Sequence, residues 1–105
     1  MEFIETDSAA HAGRTSEERW IVYLDGQIDD TAAEHLRDEI ARREIRSASV
    51  FLNSPGGGLR DGMELGRLIR QHGFSTHIGK RNDHAPKPLP GVCYSACVST
   101  FIGGY

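Results

Sequence analysis

The chain has 105 residues, with 12 basic and 15 acidic side chains interspersed to a formal charge of −3. That length supports one small domain, with a core near the lower end of a comfortable size. The charge excludes a basic face for nucleic acid, and no apolar run approaches the ~20 residues that span a bilayer.

The N-terminus lacks the basic segment and apolar core of a secretory signal. As written, the chain therefore reads as soluble and cytoplasmic, with a periplasmic location open if the native N-terminus carries a signal segment. Residues 1–19 are expected to form a flexible leader. Asp7 to Arg19 are small and polar with no apolar period, and Met1 to Ile4 offer at most a short edge strand.

Order is expected from Trp20 onward. Trp20-Ile21-Val22-Tyr23-Leu24 is a continuous run of β-formers ended by Asp25-Gly26, which predicts a strand buried on both faces, as in a parallel sheet. Asp29, Asp30 and Thr31 offer helix N-caps, and Thr31 with Glu34 has capping-box spacing. Ala33, Leu36 and Ile40 share one face of the helix that follows. Asp38–Arg42 and Glu39–Arg43 pair on its exposed side, and Arg42, Arg43 and Arg46 complement its C-terminal dipole.

Ala48 to Leu52 is the second core strand, and it runs into Asn53-Ser54-Pro55-Gly56-Gly57-Gly58. Proline fixes φ and removes a donor there, while the glycines permit conformations closed to other residues. The turn leaves backbone N–H groups bare at the positive end of a helix, an arrangement suited to a developing oxyanion, a phosphate or a carboxylate. It is not a P-loop, because Gly56-Gly57-Gly58-Leu59-Arg60-Asp61-Gly62 lacks the Gly-Lys-Ser/Thr ending. A helix from Leu59 to His72 is expected to bury Met63, Leu65, Leu68 and Ile69, with Gly73-Phe74 as its C-terminal cap. Ser75 to Gly79 is a short third strand. Trp20–Leu24, Ala48–Leu52 and Ser75–Gly79 should thus lie parallel, crossed over by helices at Asp30–Arg46 and Leu59–His72.

Lys80 to Pro90 holds three prolines and can be neither helix nor central strand. It is expected as an exposed loop, disordered in preference to functional. In Gly91 to Gly104, small residues surround Ser95, Cys97 and Phe101 have helical spacing, and Gly103-Gly104 can end the helix. Ser95 then stands at a helix N-terminus, either as a cap or as a nucleophile whose following N–H shares in an oxyanion hole. A disulfide or half a metal site is open to Cys93 and Cys97, but buried thiols under the helix are the expected state. In a periplasmic parent the pair would be open to oxidation. Among the histidines, His11 lies in the leader and His35 and His72 on helices. Only His77 and His84 are placed to approach Ser95, and each is expected to be solvated or packed instead. No spacing supports Lys80 or Lys87 as a base.

Three segments together resemble the ClpP/crotonase superfamily, and within it the proteolytic subunit of Clp-type serine proteases. They are Tyr23-Leu24-Asp25-Gly26-Gln27-Ile28-Asp29, Asn53-Ser54-Pro55-Gly56-Gly57 after a strand, and Gly91 to Gly104 around Ser95. The resemblance covers Trp20 to Tyr105, and the cysteine-framed Cys93-Tyr94-Ser95-Ala96-Cys97 is similar to a bacterial cell-envelope branch of ClpP-like proteins. It implies an α/β fold with a parallel sheet and crossover helices, of which these residues are the N-terminal part. Ser95 would be the nucleophile, with the N–H groups of Gly57 and Ala96 as the oxyanion hole, acting on a peptide or protein substrate. A homo-oligomer is implied, with no cofactor and no metal. The family takes its histidine base and the aspartate that orients it from beyond the nucleophile helix, positions that would follow Tyr105. Residues 1–105 alone are therefore expected to be inactive, and Lys80–Pro90 looks like an insertion. A non-catalytic assembly or peptide-binding module stays open as an alternative, as does a crotonase-type acyl-thioester or anion site on the same glycine turn.

Overall fold

The computed structural model describes residues 1–6, 20–85 and 87–104. The expected leader at Asp7 to Arg19 lies outside the described residues. Four strands, β1 (Glu2–Thr6), β2 (Trp20–Asp25), β3 (Ala48–Asn53) and β4 (Ser75–Ile78), form one sheet in that order. As the apolar runs predict, β2, β3 and β4 are parallel. The sheet as a whole is mixed rather than parallel, because β1 pairs antiparallel with β2 from Glu2↔Asp25 to Thr6↔Ile21. Residues 1–6 therefore belong to the domain and not to a leader. An antiparallel edge on a parallel sheet satisfies the open backbone of β2. Phe3 holds that edge in place, its ring 5.9 Å from that of His35 and beneath the Arg43 guanidinium.

The helices are α1 (Ala32–Arg43), α2 (Leu59–Gln71) and α3 (Ala96–Gly103), making the described residues a small α/β domain. In β2, Val22, Tyr23 and Leu24 are all buried, as continuity without alternation requires. β3 alternates: Ala48, Val50 and Leu52 are buried under the helices, while Ser49, Phe51 and Asn53 face the other side half-buried. On the helical face, Leu36 and Ile40 of α1 meet Leu65, Leu68 and Ile69 of α2 in a single core. On the opposite face Tyr23, Phe51 and His77 stack across three strands at 5.2 and 4.9 Å between ring centroids. Burial raises the Tyr23 phenol above its ordinary value, while the Arg81 cation pulls it the other way.

Helix ends follow local chemistry, with two corrections. Gly73, at φ 70°, donates to Arg70 O, and Phe74 donates to Ile69 O, closing α2 as the Gly-Phe pair predicts. α1 closes identically through Glu44 and Ile45, with Glu44 taking the left-handed conformation at φ 53°. The Thr31–Glu34 capping box does not form. The Thr31 hydroxyl instead donates to Asp29 Oδ1 at 2.8 Å, and the Thr31 N–H donates to the same oxygen at 3.0 Å. These bonds hold the Asp29 carboxyl below its usual range. Met63 is exposed, not buried, because it lies about 200° round the helix from Leu65, whereas Gly62 and Gly66 fall on the buried side that meets α3. A Cβ at Gly62 would fall 2.4 Å from Ala96 O, and the Thr100 hydroxyl donates to Gly62 O at 2.8 Å.

The described residues of 80–90 form neither helix nor strand, as the prolines require. Lys80 and Leu89 exchange both backbone hydrogen bonds at 3.0 and 2.9 Å, so the loop closes at its base. Within it, His84 N–H donates to Asn82 Oδ1, and Arg81 pairs with Asp83.

Candidate active site

Two turns, each leading into a helix, meet beyond the C-terminal end of β3. The first follows β3. The Ser54 side chain is fully buried, and its Oγ accepts the Gly56 N–H at 3.0 Å, which bends the chain at Pro55. Ile28 clamps the turn from the β2 side, its N–H donating to Gly56 O at 2.8 Å and its carbonyl accepting the Gly58 N–H at 3.2 Å. The N–H of Gly57 lies between these bonds and donates to none of the described residues. Only glycine fits at this point, because Gly57 has φ 153° and an added Cβ would sit 1.9 Å from Ile28 O.

The second turn carries Ser95. Residues 92–94 run parallel to the extension of β3, with Ser54 N–H donating to Val92 O at 2.7 Å and Tyr94 N–H to Ser54 O at 3.1 Å. Asn53 fastens the two together. Its Nδ2 donates to Asp25 Oδ1 at 2.8 Å, and its Oδ1 accepts the Val92 N–H at 3.0 Å. The chain then reverses at Ser95, at φ 53° and ψ −120°, and enters α3 at Ala96. A non-glycine residue held there costs ~1–3 kcal/mol and persists only where its surroundings enforce it. Sharp strand-to-helix turns of this kind expose a serine hydroxyl at the head of a helix.

Ser95 lies beside the first glycine of the turn. A Cβ on Gly56 would lie 2.9 Å from Ser95 Cβ and 2.8 Å from Tyr94 O. Ser95 is exposed, and its hydroxyl has no hydrogen-bond partner among the described residues. Ala96 N–H, the first in α3, donates to none of them either. Among the described residues, the N–H groups of Gly57 and Ala96, at the starts of α2 and α3, are thus unpaired in the two turns that adjoin the exposed Ser95, and such groups suit an acyl carbonyl gaining negative charge.

Cys93 and Cys97 form a disulfide, with Cα atoms 5.2 Å apart, and are not buried thiols. The reason lies in the elbow. Cys93 precedes it on extended chain and Cys97 sits in the first turn of α3, so the reversal at Ser95 brings their side chains together. Oxidation also closes off a zinc half-site, and no group of three metal-ligating side chains occurs among the described residues.

No described histidine bonds to Ser95. His77 stacks on Phe51 with its Nε2 3.1 Å from Ser75 Oγ, His72 stacks on Phe74, His35 lies by Glu39, and His84 is exposed in its loop. His11 falls outside the described residues. Neither Lys80 nor Lys87 bonds to the serine. The motifs did not announce the roles of Asp25, Ile28 and the Asn53 side chain, although Asp25 and Ile28 fall in the segment after β2 that carries part of the resemblance. No family model matches the chain, and neither curated proteins nor solved structures yield a match.

Proposed function

We propose that this domain is the N-terminal part of a ClpP/crotonase-type fold and supplies the nucleophile and oxyanion hole of a serine peptidase. The observation that carries the reading is the exposed Ser95 at a positive-φ elbow beside Gly56, with the N–H groups of Gly57 and Ala96 in the two adjoining turns unpaired among the described residues. In this reading Ser95 Oγ attacks the scissile carbonyl, and both N–H groups hold the oxygen as it becomes anionic. Collapse expels the amine, and water then releases the acyl group from Ser95.

A serine hydroxyl is a weak nucleophile until a base takes its proton. The base is taken to come from outside the described residues, and the substrate to be a peptide or protein engaged by an oligomer of the intact fold. The disulfide beside the serine favours an oxidising compartment over the cytoplasm. No described helix is long and apolar enough to cross a membrane.

The test supplies the missing base. The chain is treated with a fluorophosphonate probe with and without imidazole, and the labelled residue is located by peptide mass mapping. Without imidazole, labelling is expected at background, and peptide hydrolysis is not expected at an enzyme-like rate. With imidazole, labelling is expected to rise at Ser95 alone and to vanish in Ser95→Ala. Imidazole-driven labelling spread equally over surface serines refutes the nucleophile assignment and favours a non-catalytic binding module. Acyl-thioester binding that survives Ser95→Ala and fails in Gly57→Ala identifies the crotonase-type alternative.

A further inference from the structure

The two cysteines of the chain stand two residues on either side of Ser95, and each is anchored to a different part of the fold. Cys93 is tied to the extension of β3 through its bridge with Ser54. Cys97 is fully buried in the core beneath the first turn of α3. Between them Ser95 holds a backbone conformation that a serine leaves unless it is enforced. Besides the disulfide, the elbow is restrained by the Tyr94 N–H bond to Ser54 O at 3.1 Å, by its contact with Gly56, and by two bonds of the turn itself, Cys97 N–H to Tyr94 O at 3.0 Å and Val98 N–H to Ser95 O at 2.9 Å.

We propose that the Cys93–Cys97 disulfide is a redox latch on the Ser95 elbow, whose reduction lets the turn relax and withdraws serine and Ala96 N–H from register with the glycine turn. The proposal rests on the reading of Ser95 as nucleophile. The bond closes a ring too short to restrain the unfolded chain strongly, since chain-entropy stabilisation grows with loop length. Its effect is therefore local. Two thiols cannot remain at bonding distance, and with Cys97 held in the core and Cys93 bridged to Ser54, the release falls on the elbow between them. Ser95 can then return to negative φ, which removes the strain and turns the start of α3.

The chemistry is thiol–disulfide exchange with a dithiol. One thiolate of the reductant attacks the half-buried Cys93 sulfur, and Cys97 leaves as a thiolate and gains a proton. Its place near the start of α3 stabilises that leaving thiolate. The second thiol of the reductant then displaces Cys93 from the mixed disulfide. Two electrons and two protons pass to the protein, and the reductant ends as a cyclic disulfide.

The test uses the full chain, oxidised, reduced with dithiothreitol and reoxidised, with thiol content counted by alkylation and mass. Amide hydrogen exchange and imidazole-assisted fluorophosphonate labelling are measured in each state, and Cys93→Ala serves as the permanently unlatched form. Reduction is expected to speed exchange across residues 94–98 at least tenfold while β2 and β3 keep their protection. Ser95 labelling should fall at least tenfold and return on reoxidation. Cys93→Ala should match the reduced state and ignore the reductant. Unchanged exchange at 94–98 after complete reduction overturns the latch, and so does loss of protection throughout the sheet, which would make the bond a global staple. Loosening at 94–98 with no Ser95 labelling in either state leaves the latch standing and sinks the nucleophile reading.

Discussion

Gly56→Ala is the most direct probe of the contact between the two turns. Gly56 sits at φ 111°, and an added Cβ would lie 2.8 Å from Tyr94 O and 2.9 Å from Ser95 Cβ. Holding an L-residue on the left-handed side costs about 1–2 kcal/mol. Forcing a methyl group into a filled contact costs about 1–3 kcal/mol more, so the expected loss is about 2–5 kcal/mol. That is a large part of the ~5–15 kcal/mol holding a domain of this kind together. Gly73 isolates the first of the two costs, because at φ 70° it has nothing within 4 Å of an added Cβ. Gly73→Ala should therefore lose only about 1–2 kcal/mol. Urea unfolding followed by the fluorescence of Trp20, which packs against the core, measures both through midpoint shifts at constant m. Equal losses for the two variants would show that Ser95 does not press on the glycine turn, and the elbow geometry would be refuted.

Gly62→Ala should weaken the α2–α3 contact by about 1–3 kcal/mol, because its methyl meets the Ala96 carbonyl and the helices must part. A thermal melt shifted by less than a degree would contradict that packing. Asn53→Ala removes both the bond to Asp25 and the acceptor of Val92 N–H, and should cost about 1–3 kcal/mol. Its exchange signature should be faster amide exchange at Val92 than in the parent chain, and unchanged protection there would count against the role assigned to Asn53. Glu39, hydrogen-bonded by Arg42 and Arg43, has its carboxyl held below the usual value. A folded pKa below the unfolded one means that this stabilisation is complete above the unfolded value of about 4.3 and fades as pH falls through the folded one. Glu39→Gln should flatten that acid limb in a urea titration at low salt, and an unchanged slope would show that the pairing contributes nothing.

The sequence alone determined the local structure, because its signals act over a few residues. The β-forming run Trp20–Leu24, the proline and glycines after β3, and the Gly73-Phe74 stop each specify backbone within one turn or strand. The same reasoning located Ser95 at the head of a helix. It did not foresee the pairing of Lys80 with Leu89, which prolines that exclude helix do not prevent. Tertiary structure decided everything that depends on residues distant along the chain. Asn53 meets Asp25 28 positions away and Val92 39 positions away, and no period or motif encodes either bond. Met63 is apolar like Leu65, but it lies two positions away, about 200° round α2, and is exposed. The close approach of α3 to Gly62 and Gly66 is a contact that only the tertiary structure shows. The cysteine pair shows the division most plainly. Spacing of four permits a thiol pair, a half-site or a bond, and the reversal at Ser95 brings the two side chains together as the bond. Local propensity is set by each residue's own backbone, whereas contacts between turns exist only once the sheet has brought them to the same strand end.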